Sequence, residues 1–390
     1  MIAARYVGDG LRREEYLCYE GRSDWTTHRS RRTSDDNGRT WSDWRLLHSA
    51  WPVQNGFTKR EEARAWCFDP VGGKSLDFVF QRLLPSQGDY PMEEYVGRAD
   101  HSFWRQSDDE GRSWGALHQF RYEEGPEYDP ENWGRREFLG SNRTFGSYCA
   151  IPTRSGTVVY PCSEIPMRLD EETVDGVICF VGKWDVEKQT YIWEKSQPIC
   201  VPHRLSARGL LEPSVAELSD GRLWMVMRGS NRTFQGDDWT GTVDNPGRKW
   251  MSLSVDGGRS WSPVTDLRYD TGEQFCSPSA FAKLLRHSRT MKLYWFGNIC
   301  RGPSRGNRPR HPLYIAEVDE STPSLKKDTL AIVDDRDPVA DSDVLQLSNF
   351  HLLENRQTGE IELYLTRYGE RESSRTHADA YKYTIELQAD

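Results

Sequence analysis

Glu212 and Arg228 are the two residues of this 390-residue sequence best placed to do chemistry together. Glu212 opens a strand-like run that continues Pro213-Ser214-Val215-Ala216-Glu217-Leu218, and Arg228 closes the next one, Leu223-Trp224-Met225-Val226-Met227. Asp220-Gly221 between them favours a tight turn, which folds the runs into a hairpin and brings its two ends together. A carboxylate beside a guanidinium there is either a structural ion pair or half of an anion-binding site. Arg301, Arg305, Arg308 and Arg310 follow the run Leu293–Asn298. In a chain of net charge −9, four arginines in ten residues argue for local anion recognition over a solvated basic loop. Asn231, in the second Ser-Asn-Arg-Thr-Phe pentamer (230–234; the first is 141–145), directly follows the Arg228 run. Asn298 and Asn349 end or begin later runs. Such amides bind sugar hydroxyls or cap turns. His203 precedes the Glu212 run, His351 lies in the last hairpin, and Tyr148 starts another. Each is structural, or removes the acidic proton beside an Arg-bound carboxylate, which is lyase chemistry.

Repeats supply the scaffold that these residues need. Ser34-Asp35-Asp36-Asn37-Gly38-Arg39-Thr40-Trp41, Ser107-Asp108-Asp109-Glu110-Gly111-Arg112-Ser113-Trp114 and Ser254-Val255-Asp256-Gly257-Gly258-Arg259-Ser260-Trp261 share the pattern S-x-D-x-G-x-[ST]-W. The Asp closes a turn through backbone N–H groups, the Gly takes positive φ, and the Trp covers the hairpin. These boxes hold turns and do no chemistry. Their aspartates lie 73 and then 147 residues apart, one and two units of a single period. A degenerate box is therefore expected near 182, where Gly182–Tyr191 forms a charged turn, and a weaker echo is Glu317–Thr322. Repeats of this size mean a propeller or solenoid, and aromatic, Gly-rich turns favour a propeller.

Hairpins around Asp9-Gly10, Gly72-Gly73, Ser155-Gly156, Asp220-Gly221 and Thr358-Gly359, with Ser279–Phe296, give six inner hairpins. The expectation is an all-β, six-bladed β-propeller, one domain over residues 1–390, with blades starting near 1, 62, 145, 210, 277 and 345. Its innermost strands line a channel, and a ligand sits at one mouth. The strand Ala378–Leu387 is expected to pack near the N-terminus and help close the ring.

Fifteen Trp and 12% aromatic residues suit packed β-blades. The acidic balance argues against a nucleic-acid partner. No apolar run approaches membrane-spanning length, so no membrane partner is expected. The N-terminus lacks the charged and apolar regions of a secretory signal. That points to the cytoplasm, or to a secreted or periplasmic protein whose signal was removed. Eight cysteines lie without C-x-x-C spacing, mostly in apolar runs, and read as reduced, buried thiols rather than disulfides or a zinc site. The sequons at Asn142 and Asn231 are weak without secretion. No obligatory metal or other cofactor is indicated, although Asp-rich turns can bind calcium weakly.

The boxes together with Glu212-Pro-Ser-Val-Ala-Glu-Leu-x-Asp-Gly-Arg-Leu-Trp-Met-Val-Met-Arg228 resemble the sialidase (neuraminidase) superfamily of six-bladed, Asp-box (BNR-repeat) propellers, over most of the chain. The resemblance implies that Glu212 activates a catalytic tyrosine and that Arg228 belongs to a triad gripping the substrate carboxylate. Tyr19–Asp24 is similar to the family's E-x-R…D stretch, which implies substrate binding by Arg22 and general acid/base work by Asp24. The last triad arginine falls on Arg310 or Arg308, just before the strand resumes at His311. Three departures set the chain apart. Leu345–His351 has no tyrosine in register with the family's nucleophile. The first triad arginine would fall at or before Met1, with Arg5 a loose substitute. The family's closing Leu-Tyr-Glu is replaced by Leu363–Thr366. A retaining sialidase needs its nucleophile.

Three functions follow as expectations. The first is an exo-acting glycoside hydrolase that cleaves a terminal carboxylated sugar from an acidic glycan or glycoside. Arg22, Arg228 and Arg310 hold the carboxylate, and Glu212 with Asp24 or Glu164 manages protons at a separation that sets inversion or retention. The second is a uronate-directed polysaccharide lyase using His203 or His351 with Tyr148. The third is a non-catalytic carbohydrate-binding propeller.

Overall fold

The computed structural model describes residues 2–22, 25–47, 50–53, 57–85, 99–127, 129, 136–165, 176–202, 204–206, 209–229, 247–304, 306–371 and 378–387; for 20–22, 25–27, 52–53, 57–58, 84–85, 99 and 136 only the backbone is described. It is an all-β, six-bladed propeller. The first blade runs β1 (Ile2–Tyr6), β2 (Arg13–Arg22), β3 (Trp25–Ser34) and β4 (Arg45–Leu47). The second runs β5 (Ala50–Val53), β6 (Phe57–Asp69), β7 (Lys74–Pro85), β8 (Ala99–Ser107) and β9 (His118–Gln119). A short helix, α1 (Arg136–Gly140), leads into the third: β10 (Thr144–Gly146), β11 (Ile151–Pro152), β12 (Thr157–Glu164), β13 (Gly176–Asp185) and β14 (Thr190–Lys195). The fourth holds β15 (Leu210–Glu217), β16 (Leu223–Gly229), β17 (Lys249–Ser254) and β18 (Thr265–Asp266). The fifth holds β19 (Lys283–Arg286), β20 (Leu293–Asn298), β21 (Leu313–Asp319), β22 (Ser324–Leu325) and β23 (Ala331–Asp334). The sixth holds β24 (His351–Glu354), β25 (Ile361–Thr366) and β26 (Ala380–Ile385).

Each box joins the last strand but one of its blade to the outer one. Its serine hydroxyl donates to the aspartate at 2.8 Å, and the box Gly N–H donates to that hydroxyl at 2.8 Å, in all three copies. The box Thr or Ser N–H closes the turn onto the same carboxylate at 2.8–2.9 Å. The residue before the box Gly also takes positive φ: 65° at Asn37, 56° at Glu110 and 73° at Gly257. The degenerate turn occupies the same place between β13 and β14, where Asp185 accepts from Glu187 and Lys188 N–H groups. The echo lies between β21 and β22, where Asp319 accepts from Ser321.

The core is distributed between blades. Phe78 and Trp104 pack on Tyr160 and Phe180 between the second and third. Val159 and Val181 meet Val215 and Met225 between the third and fourth, and Trp224 meets Trp295 between the fourth and fifth. Phe296 and Leu313 meet Leu363 between the fifth and sixth. The first and second blades are joined by a buried ion network instead. Arg5 bridges Glu14 at 2.7 Å and Asp77 at 2.8 Å, and Arg105 also binds Asp77.

The ring closes where Ala4 and Tyr6 pack on Leu353 and Tyr364. Beneath them buried Arg13 binds Glu362 at 2.5 Å and Tyr364 Oη at 2.8 Å. This corrects the expected closure: Ala380–Ile385 is paired with β25 on the side away from β24, and β24 and β25 are the strands that meet β1. All eight cysteines are free, and four of them are buried. Among the described residues no helix is long and apolar enough to cross a membrane, and no cluster of His, Cys, Asp and Glu could hold a metal.

Candidate active site

One face of the disc gathers the starts of the inner strands and the ends of the second strands. In the fourth blade Leu211 pairs with Arg228, so Glu212 and Arg228 emerge side by side as the hairpin requires. A bulge between Leu211 and Ser214 puts Glu212 at φ +46°. A non-glycine residue in that left-handed region is strained, and its surroundings must hold it there. Ser163 of the neighbouring blade accepts from the Glu212 N–H at 3.2 Å, and Arg228 Nη1 binds its carboxylate at 2.6 Å.

Arg310 joins this pair from the fifth blade. Arg228 Nε donates to the Ser279 hydroxyl at 2.9 Å, and its Nη2 to Asn307 Oδ1 at 3.2 Å. Arg310 uses the backbone of the same two residues: Nη2 donates to Ser279 O at 3.2 Å and Nε to Asn307 O at 3.1 Å. Its Nη1 donates to Ser348 Oγ at 3.0 Å. Two guanidiniums from different blades are thus fixed on one frame beside one carboxylate. Burial by itself would raise the Glu212 pKa, but Arg228, then Arg310 and Arg64, outweigh it and hold the carboxyl below its usual range.

Tyr148 lies on the other side of Glu212. Together with Phe281 and Lys283 they line a cavity of about 10 Å³, room for one water. The His351 ring stands edge-on to Tyr148 at 5.6 Å and stacks on Trp66 at 6.1 Å. Burial, then the Lys283 charge, push His351 well below its ordinary pKa, so its ring is neutral. Burial pushes the Tyr148 phenol up. Arg64 lies over the Tyr148 ring at 4.6 Å and is paired with Glu62 at 2.7 Å. Burial pulls the Lys283 amine down to about 8. Among the described residues the Lys283 amine makes no hydrogen bond or ion pair; it faces the Tyr148 and Phe281 rings at 5.7 and 5.8 Å.

The other candidates fall elsewhere. Arg5 is locked between Glu14 and Asp77 and cannot serve as a substrate-gripping arginine. Asn298 is fully buried, and its amide donates to the carbonyls of Arg310, Pro312 and Leu347, so it shapes the arginine loop instead of meeting a sugar. Glu164 faces away from the site and binds Lys195 at 2.6 Å, because neighbouring Ser163 points to Glu212 and side chains alternate along a strand. Asn349, half-buried at φ +60°, lies next to Ser348 and thus beside Arg310. Arg308 is exposed two residues before Arg310. In the first pentamer Asn142 caps a turn through the N–H groups of Tyr122 and Glu123. Asp24, His203, Arg305 and Asn231, with the second pentamer, lie outside the described residues, as does the Arg22 side chain.

Lys283 is legible in sequence, as a charge inside an otherwise apolar inner-strand run, the criterion that singled out Glu212, whereas Arg64 is masked by the charged stretch Lys59-Arg60-Glu61-Glu62 before it. Ser279 and Asn307 carry no such signal, since their role exists only through the arginines they bind.

Solved structures share this architecture. A protein of unknown function from Dyadobacter fermentans is 14% identical, with a TM-score of 0.62 over 99% of this chain and 94% of that one. A variant of the NanB sialidase from Streptococcus pneumoniae is 12% identical, with a TM-score of 0.60 over 99% of this chain and 67% of that one. The fold is sialidase-like. A Trypanosoma rangeli sialidase in complex with the inhibitor DANA extends the likeness, at 12% identity and a TM-score of 0.54, over 95% of this chain and 53% of that one. No protein-family profile and no curated protein matches the chain. At these identities the sialidase-like propeller is a statement about fold alone.

Proposed function

We propose that this propeller is a glycoside hydrolase acting on a terminal carboxylated sugar. The observation that carries the reading is the shared seat of Arg228 and Arg310 on Ser279 and Asn307, beside the ionised Glu212. Two rigidly held guanidiniums match a carboxylate, and fixing them before the substrate arrives lowers the cost of binding it. Tyr148, which lines one small cavity with Glu212, is assigned the nucleophile's role, for which Leu345–His351 offers no tyrosine. Glu212 accepts the phenolic proton, the phenolate oxygen attacks the anomeric carbon, and the glycosidic bond breaks with a proton passing to the leaving oxygen. Asp24 is assigned as that proton donor. Water then releases the sugar with its anomeric configuration retained. The test is a panel of sialosides and uronate glycosides, read as new reducing ends, with proton NMR of the first-formed anomer. Wild type should turn over at least one acidic substrate and Tyr148→Phe none; an active Tyr148→Phe removes the tyrosine from the reaction.

One observation favours a second reading. Neutral His351 edge-on to Tyr148 is a base next to an acid, the pair that a uronate lyase needs. Growth of ultraviolet absorbance from an unsaturated uronate, without new saturated ends, would select it. Binding of acidic sugars with neither product would leave a carbohydrate-binding propeller.

A further inference from the structure

We propose that Lys249 is a positioning residue that presets Arg228 and Arg310 by pinning the backbone on both sides of Ser279. The inference rests on the carboxylate-binding reading above. Lys249 starts β17 and pairs with Arg228 across the sheet. It is fully buried, an unusual place for a lysine. Its Nζ donates to the carbonyl of Pro278 at 2.9 Å and to that of Ala280. The residue between those carbonyls is Ser279, whose hydroxyl takes Arg228 and whose carbonyl takes Arg310.

The same segment is stitched from other sides. Ser277 N–H donates to Gly247 O at 2.7 Å, and Ser279 N–H to Gly306 O at 2.9 Å. A Cβ on Gly247 would stand 2.3 Å from Ser277 O, so the chain leading into β17 approaches this segment as closely as a bare backbone allows. An ammonium holding two carbonyls makes charge-assisted bonds, about twice as strong as neutral ones. A buried cation beside two arginines is costly, and only the task of fixing those carbonyls offsets it.

The device also responds to pH. Burial, then Arg228, pull the Lys249 amine down to about 7, with Arg310 acting the same way and Cys300 and Glu212 opposing. Of these neighbours none titrates near 7: the arginines stay charged, Glu212 ionises lower, and burial raises Cys300 to about 12. Below 7 the ammonium holds the frame; above 7 the neutral amine holds it weakly.

The test uses the full chain, with DANA as the probe and Lys249→Arg and Lys249→Met as variants. In wild type, DANA affinity should fall about tenfold as pH rises through 7, roughly the worth of one hydrogen bond to a charged group. Lys249→Arg keeps its charge and should show a flat profile, and Lys249→Met should bind weakly at every pH. The protection of the Ser279 and Ala280 amides against hydrogen exchange, read without ligand and relative to the intrinsic rate, should fall above pH 7 in wild type and at all pH values in Lys249→Met. This readout needs no variant and decides the matter even if one fails to fold. Unchanged protection at both amides overturns the proposal, as does native DANA binding by folded Lys249→Met. Wild type that binds neither DANA nor any acidic sugar overturns the carboxylate reading instead, while exchange still judges whether Lys249 pins the frame.

Discussion

Glu212 carries strain and charge at one position. Its left-handed backbone is held by the Ser163 hydroxyl and the Arg228 ion pair, and both of its neighbours act from other strands. Replacing it by Gln removes the proton acceptor and leaves Arg228 half-buried without its anion. Turnover of an acidic glycoside should be lost, and stability should drop by about 3 kcal/mol, the scale for breaking a buried pair. The sign of the pH effect follows from the lowered pKa. The ion pair's contribution is fully present above the ordinary value of 4.5 and is lost as pH falls through the lower native one. Denaturant midpoints taken downward from pH 5 should slope less steeply in Glu212→Gln than in wild type; equal slopes would mean that other carboxylates carry the whole effect. Lys283 poses the opposite case, a cation with no acid beside it among the described residues. Lys283→Met should leave thermal stability unchanged or higher, because no ion pair is broken, yet weaken acidic-sugar binding several-fold. Glu212 was legible because a hairpin brings its own ends together. Lys283 sits just as openly in an apolar run, but its closeness to Tyr148 depends on two other blades.

At the scale of strands and turns, the boxes are clips between the last strand but one and the outer strand of a blade. In Asp36 and Asp109 the hydrogen bonds from Thr40 and Ser113 pull the carboxyl down to about 2. Asp256 reaches about 2 as well, with burial opposing and Ser260 outweighing it. Asp256→Ala should therefore cost about 1–2 kcal/mol, from several hydrogen bonds of modest net worth. The loss should show as a lower thermal midpoint above about pH 4 and shrink as pH falls from the ordinary 3.8 toward 2. A midpoint difference that persists unchanged at the lowest pH would contradict this. The box period also located the Asp185 turn, and the weaker echo at Asp319 is read from its residues; both lack the consensus yet occupy the same joint. Turn chemistry is local, so it survives in sequence even where the signature has decayed.

For the whole molecule, the decisive contact is the seam between the first and sixth blades. Arg13 is buried there against Glu362 and Tyr364, more than three hundred residues away along the chain. Arg13→Met should strand the Glu362 charge and cost about 3 kcal/mol. Because the seam closes a ring, one unfolding transition should shift as a unit, with amide exchange rising in the sixth and first blades together. Faster exchange confined to β24, β25 and β26 would show that the last blade opens alone. The seam was not legible beforehand. The sequence pattern suggested a late strand at the closure, whereas side chains of β1, β24 and β25 meet there and β26 stays on the outer side.

The sequence by itself determined the repeat, the six inner hairpins and the pairing of Glu212 with Arg228, because alternation, turn residues and hairpin register act over a few residues. Only the tertiary structure decided which charges converge. Arg228 and Arg310 share Ser279 and Asn307, Arg5 and Asn298 are consumed by the scaffold, and Tyr148 meets the His351 ring edge-on. Those outcomes follow from ring closure and blade packing. They bring together residues whose separation in sequence leaves no local trace.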